Sequence, residues 1–423
     1  MSIIFKNASL LVGKELTYVP RGYLEVGNDG IIKEARHGIY LDAGKKVNRP
    51  TIFDAEGFLL IPGLINAHTH IGDSIGKDVD VDSGLDERVH PIIGTKQRIL
   101  RRSKPDHLKT FIRSSALIMI KNGITVFGDF REGGLEGINL LNEAISDLPI
   151  KHRIFGRIEH YTNLSSPENS PKKLSINELQ MTSAVLGVSN GLGLSGANEY
   201  SDSILCQYRK LVTAENSSMS KVGARNTKLL VAIHAAESEK TMEFSKTHAS
   251  QTEVSRIMKY LKPDILVHMT NATEKDISIA SKNRTGIIVC PRANGVLGAG
   301  VPPVAKMLDH GCLVGIGSDN VMLNSPDILR ELDYIWKASR SVEKRFLKPK
   351  EILKMATTNN ARILRLNSGY LDSGRDADVL FIDKNHVDVY PMHDPHASII
   401  HRLTSDSIKA VMIDGKFVDG ALL

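Results

Sequence analysis

From residue 58 to about residue 365, short apolar runs alternate with longer amphipathic stretches, and no other feature restricts the fold of this 423-residue chain so tightly. The runs at 58–67, 124–130, 153–159, 191–195, 228–235, 265–269, 286–290 and 313–319 are strand-length and rich in Ile, Val, Leu and Phe. Between them, 106–121 places Leu108, Phe111, Ile112, Ile118 and Met119 near one helical stripe. The stretch 325–337 opens with Ser325 and Pro326 in the order of an N-cap and first helical residue, and 349–364 supplies a last helix. Strands joined through helices lie parallel, because each crossover returns the chain to the same end of the sheet. Eight such units close on themselves. The predicted core is therefore α/β: a (β/α)8 barrel of the TIM type over 58–365.

The chain ends read differently. Residues 3–11, 23–26, 31–35 and 51–54 have strand character, punctuated by Gly13, by Asn28, Asp29 and Gly30, and by Gly44. Strand character returns at 378–382, 408–413 and 416–418, with Asp414 and Gly415 as a hairpin turn. Neither set is large enough to bury a core alone, so 1–57 and 366–423 are expected to build one small β-sandwich together. The connection 71–103, rich in Asp and Gly, is long for a loop inside a compact domain and is read as a lid at the barrel rim.

Composition excludes several classes. A hydrophobic share of 41% with 24% charged residues is that of a packed globular chain, and no apolar run is long enough to cross a bilayer. The start of the chain lacks the basic residues and cleavage site of a signal peptide, so a cytoplasmic location is expected, with no membrane partner. Cys206, Cys290 and Cys312 are too scattered for a disulfide framework or a thiolate metal site. The net charge of +6 is spread along the chain and aromatics are only 5%, which argues for a solvated surface and against a nucleic-acid partner. A small-molecule substrate and a homodimer are the expected partners.

Chemistry collects at the ends of the predicted strands. His68 and His70 are two residues apart on the first, and so share a face. His234 ends the fifth, with Glu237 three residues on; His268 ends the sixth and Asp319 the eighth. In a closed barrel the C-terminal strand ends converge, which makes these residues neighbours despite their distance in sequence. Imidazole nitrogens with a carboxylate suit a divalent ion such as zinc. Arg292 and Asn294, just beyond the seventh strand, are candidate contacts for a substrate carboxylate or carbonyl, or else hold their own loop through hydrogen bonds. His90, in the long connection, either reaches the pocket from the lid or, as the preferred reading, stands at the surface.

Together these motifs resemble the amidohydrolase superfamily, in the branch that holds cytosine deaminase, S-adenosylhomocysteine deaminase and triazine chlorohydrolase. The similarity runs through 54–57 to His70, 234–237, 266–270, 290–294 with Leu297 and Gly298, 315–320, 355–359, 374–378, 393–395 and 414–416. The resemblance implies that His68, His70, His234 and Asp319 hold one divalent metal ion, zinc with iron or manganese as alternatives. It further implies that Asp319 shuttles the proton of the attacking water, that Glu237 protonates a ring nitrogen, and that His268 stabilises the reacting centre. The fourth strand lacks the lysine of two-metal relatives, and Glu159 is the residue that keeps a second metal open.

The implied activity is hydrolytic deamination of a small nucleobase- or pterin-like heterocycle. A cyclic amide or imidazolone hydrolase is the alternative, and a noncatalytic assembly protein on the same fold ranks lower. Two departures weigh against a purine nucleoside. The segment after His70 lacks the Trp-containing stretch of nucleoside deaminases, and Ser195 to Tyr200 replaces their histidine-bearing segment.

Overall fold

The computed structural model describes residues 2–41, 49–161, 172–222 and 228–420; Gly44 lies outside them. Its centre is a ring of parallel strands: β1 (Leu64–His70), β2 (Ile124–Arg131), β3 (Lys151–Gly156), β4 (Gly191–Leu194), β5 (Leu230–Ala235), β6 (Ile265–His268), β7 (Gly286–Val289) and β8 (Val314–Ile316). Each pairs with the next. The ring closes through Asp319–Asn320, which pairs with Thr69 and His70 of β1. The eighth strand is thus one element interrupted at Gly317 and Ser318.

Side chains bind the two banks of this seam. Ser318 N–H donates to Asn66 Oδ1 at 3.0 Å, and Asn66 Nδ2 donates to Ser318 Oγ at 2.7 Å. Asn360, from the helix Thr358–Ile363, donates to the carbonyls of Ile65 in β1 (2.7 Å) and Ile316 in β8 (2.8 Å). A Cβ on Gly317 would stand 2.7 Å from His68 Cβ, so only glycine lets the two strands approach this closely.

Four expectations change in detail. The strand over 58–67 is two strands in two sheets. Phe58–Pro62 belongs to the smaller sheet, and the chain crosses at Gly63, where any Cβ would collide with the Thr125 side chain at 2.4 Å. The helix over 349–364 is two helices, Pro349–Met355 and Thr358–Ile363, because the carbonyl of Ala356 leaves the helical ladder to accept from Ile65 N–H in β1. The helix after β8 begins at Ile328 with Asp327 as its N-cap, the Asp327 carboxylate accepting from Arg330 N–H, so Ser325 and Pro326 only lead into it. The connection 71–103 carries structure of its own: a 3-10 turn Ile71–Gly76, then α1 (Leu85–Val89) and α2 (Thr95–Arg102).

The second sheet takes strands from both chain ends in the order 416–420, 408–413, 379–383, 58–62, 3–12, 17–26 and 32–37, with 51–54 also on the 3–12 strand. Phe5 and Phe417 stand four strand spacings apart in that order, about 19 Å on a flat sheet at ~4.8 Å each. Their rings are 6.0 Å apart, so the sheet curls over a core of its own that includes Phe5, Leu24, Leu60, Phe381 and Met412. Asp414 and Gly415, both left-handed, make the expected hairpin turn. Among the described residues, no helix is long and apolar enough to cross a membrane.

Candidate metal centre and reaction cavity

At β5, simple alternation delivers the ligand. Leu230 and Ala232 face the apolar cluster inside the barrel, and His234 follows them. At β1 the same rule, counted from the inward Ile65 and Ala67, would send His68 outward. An irregularity in the β1–β2 pairing between Asn66 and Thr69 reverses the phase, and His68 lies against Phe130 inside the barrel with ring centroids 4.4 Å apart. At β6, Ile265 and Val267 face inward, and a left-handed backbone at His268 (φ 73°) turns its ring in as well, 5.3 Å from His234. Asp319 (φ 62°) and Ala236 (φ 49°) share that conformation, which costs a non-glycine residue about 1–2 kcal/mol. Left-handed residues occur elsewhere in the chain too, and these three stand at the rim where the polar residues meet.

His68, His70, His234 and Asp319 each place one ligand atom within 4.8 Å of the others. His70 Nδ1 donates to Glu132 Oε1 at 3.1 Å and His234 Nδ1 donates to the Leu194 carbonyl at 2.9 Å, assignments that follow from the acceptor-only partners. Burial lowers His68 to about 4 and holds His234 well below its usual value, so both rings are neutral at pH 7. The Nε2 atoms of His70 and His234 face each other at 3.3 Å, and with its Nδ1 proton on the Leu194 carbonyl the neutral His234 presents a bare Nε2 lone pair. Asp319 Oδ1 completes the group, 3.2 Å from His68 Nε2 and 3.5 Å from His70 Nε2. Ligands at 2.0–2.1 Å from a tetrahedral zinc ion stand about 3.3–3.4 Å apart, which matches these edges. The donor set and its spacing fit one divalent cation.

Beside this group lies a cavity of about 90 Å³, lined by Glu237, His268, Asp319, Lys96, Arg157 and Glu199 among others. Leu85, Asp86 and Val89 of α1, with His90 and Pro91, cover it. His90, for which the sequence favours the surface, therefore lines the cavity. Glu237 Oε1 is 3.6 Å from His268 Nε2. Burial, followed by the nearby Asp319 charge, outweighs His268 and raises the Glu237 pKa. For Asp319 the balance is opposite: burial pushes the carboxyl up, but the His68 hydrogen bond and the imidazoles of His268, His68 and His70 around it hold it well below the usual range.

The chain shares this architecture with known proteins. The pattern of the amidohydrolase family matches residues 59–418. A putative aminohydrolase of Methanothermobacter thermautotrophicus is 34% identical over 417 residues, 98% of this chain and 99% of its own length. The chain belongs to the amidohydrolase family. A 5-methylthioadenosine/S-adenosylhomocysteine deaminase of Pyrococcus furiosus is 27% identical over 100% of this chain and 96% of its own. Among solved structures, an atrazine chlorohydrolase of Arthrobacter aurescens complexed with zinc superposes with a TM-score of 0.77 at 19% identity, covering 99% of this chain and 95% of that one.

In this amidohydrolase, the two residues read from sequence as substrate contacts stand elsewhere. Arg292 does not line the cavity; its guanidinium pairs with the fully buried Glu331 at 3.3 Å. Asn294 is buried behind the cavity wall, with its side-chain amide 3.2 Å from His268 Nδ1, and so orients that ring. Arg292→Ala is expected to lower stability by about 2 kcal/mol, because it removes a hydrogen-bond partner of the buried Glu331 carboxyl, whose pKa burial pushes up to about 8. The substrate KM should not change. Thermal unfolding and steady-state kinetics check both parts, and a raised KM at normal stability would return Arg292 to the binding site.

Glu159 accepts from Gly133 N–H and Tyr161 Oη and stands outside the converging group. Glu132 is the residue that sequence reasoning missed. It directly follows β2, and its Oε1 receives His70 Nδ1, Lys96 Nζ at 2.7 Å and Arg157 Nη2 at 3.4 Å. Burial pushes its carboxyl up, but Lys96 and His70 hold it well below the ordinary range. The rule that finds His234 and Asp319, an ionisable side chain at a strand's C-terminal end, also points to Glu132.

Proposed function

We propose that this amidohydrolase is a hydrolytic deaminase of a small aminated heterocycle, dependent on one divalent cation, with zinc the first choice. The observation that carries the reading is the pair of carboxyls on one cavity, Glu237 with its pKa raised by burial beside His268 and Asp319 with its pKa lowered by the surrounding imidazoles. Deamination at a ring carbon needs both an acid for the ring nitrogen and a base for the attacking water. The deaminase among its full-length relatives supports the choice.

His68, His70, His234 and Asp319 would hold the cation, which when bound supplies Lewis acidity and makes water a nucleophile near neutral pH. Asp319 takes the proton of the attacking water and returns one to the departing amine. Glu237 gives its proton to the adjacent ring nitrogen, so the reacting carbon accepts the nucleophile without a full negative charge on the ring. His268, kept in orientation by Asn294, donates to the developing charge on the tetrahedral centre. The substrate would sit in the cavity beside these groups, against α1 and residues 90–91.

The test is an ammonia-release screen of the zinc-loaded protein over aminopyrimidines, aminopurines, pterins and guanidino compounds, run beside cyclic ureas and imidazolones. Ammonia released in proportion to product is the expected result. Ring opening without ammonia would replace deamination by cyclic amide hydrolysis on the same residues.

A further inference from the structure

Lys96 belongs to the covering segment, yet its ammonium is almost fully enclosed, with 4% of the side chain exposed. It lies 2.7 Å from Glu132 Oε1, the same oxygen that accepts His70 Nδ1. One carboxylate oxygen thus joins α2 of the cover to a histidine of the proposed metal group. The segment is also anchored beside β1, where Asp73 accepts from Asn320 Nδ2 at 2.7 Å and Met322 N–H at 3.0 Å.

We propose that Lys96 is a positioning residue through which seating of the 71–103 segment and cation occupancy at His70 stabilise each other, an inference that rests on the metal-centre reading above. An enclosed ammonium is tolerable only beside its counter-charge, so α2 seats only when Glu132 Oε1 points at it. That orientation is also the one that fixes the His70 ring with Nε2 aimed at Asp319 and His234. When α2 withdraws, Arg157 at 3.4 Å is the cation left to Glu132, and the carboxylate turns toward the guanidinium and away from His70. Conversely, a cation on Nε2 makes Nδ1–H a stronger donor and locks Glu132 in the pose that receives Lys96. Linkage makes the effect equal in both directions.

The experiment is hydrogen exchange of backbone amides in 84–102, with zinc added and with zinc removed by chelator, on the wild type, Lys96→Met and Lys96→Arg, alongside zinc affinity by chelator competition. In the wild type, zinc is expected to slow exchange in this segment several-fold. Lys96→Met should lose that zinc dependence and bind zinc about 10-fold more weakly, the low end for residues that orient a ligand from one step away. Lys96→Arg should restore both. Equal zinc-dependent protection in wild type and Lys96→Met would overturn the proposal, as would a loosened segment with unchanged zinc affinity. If Lys96→Met does not fold, the wild type still decides, because zinc that binds without slowing exchange overturns the coupling alone. Wild-type protein that retains no zinc overturns the metal centre and the coupling together.

Discussion

Asp319→Asn is expected to lower turnover by about 10⁴-fold, the upper end of what a positioned general base contributes. The amide keeps the shape of the side chain but accepts no proton from water, and it replaces an anionic ligand on the 3.2 and 3.5 Å edges of the ligand group by a neutral one. Zinc per chain, read by mass spectrometry after dialysis, should fall together with the rate. A variant with more than a tenth of wild-type activity would remove Asp319 from the reaction.

The same group sets the acid response of the metal-free protein. Burial holds folded His68 at about 4, against 6.5 unfolded, so between these values the unfolded chain binds a proton that the folded chain refuses. Stability therefore falls as pH drops from 6.5 toward 4. Asp319, whose folded pKa is depressed below 3.8, adds its own loss at lower pH. Denaturant midpoints of the metal-free protein at pH 7 and pH 5 measure the first part, and equal midpoints would contradict it.

Glu237→Gln is expected to cost about 10³-fold in kcat while the zinc content stays at wild-type level. Glutamine has the size of glutamate and no proton to give to a ring nitrogen. Because burial raises the Glu237 pKa, the wild-type carboxyl keeps its proton to higher pH, and activity should decline on the alkaline side as that proton is lost. The residual activity of the variant should lack this decline. Unchanged kcat, or a loss that follows loss of zinc, would show that Glu237 is not the acid.

The barrel and the converging residues were legible because both follow from periodicity: alternating elements specify the ring, and the ring gathers its strand ends. His234 obeys simple alternation. His68 and His268 share its location but reach it through a pairing irregularity and a left-handed residue, and neither device has a signature in the residue types around 66–69 or 265–268. The sequence leaves Arg292 open between an anion receptor and a loop anchor, because its partner Glu331 sits 39 residues on, in the helix Ile328–Ser341. Lys96 was invisible for a similar reason. Its position depends on how the 71–103 segment folds back, and its partner Glu132 is 36 residues away.

The interrupted eighth strand has a consequence in time. A chain emerging from the ribosome delivers His68, His70 and His234 long before Asp319, and the seam beside Asp319 is held by Asn360, which arrives later still. The three imidazoles are thus made first, as an incomplete cup that synthesis alone leaves open. The carboxylate that closes it is made last of the four and is held at the seam by Asn66 and Ser318 and then by Asn360, so a nascent chain carries no complete centre before Asp319 is made.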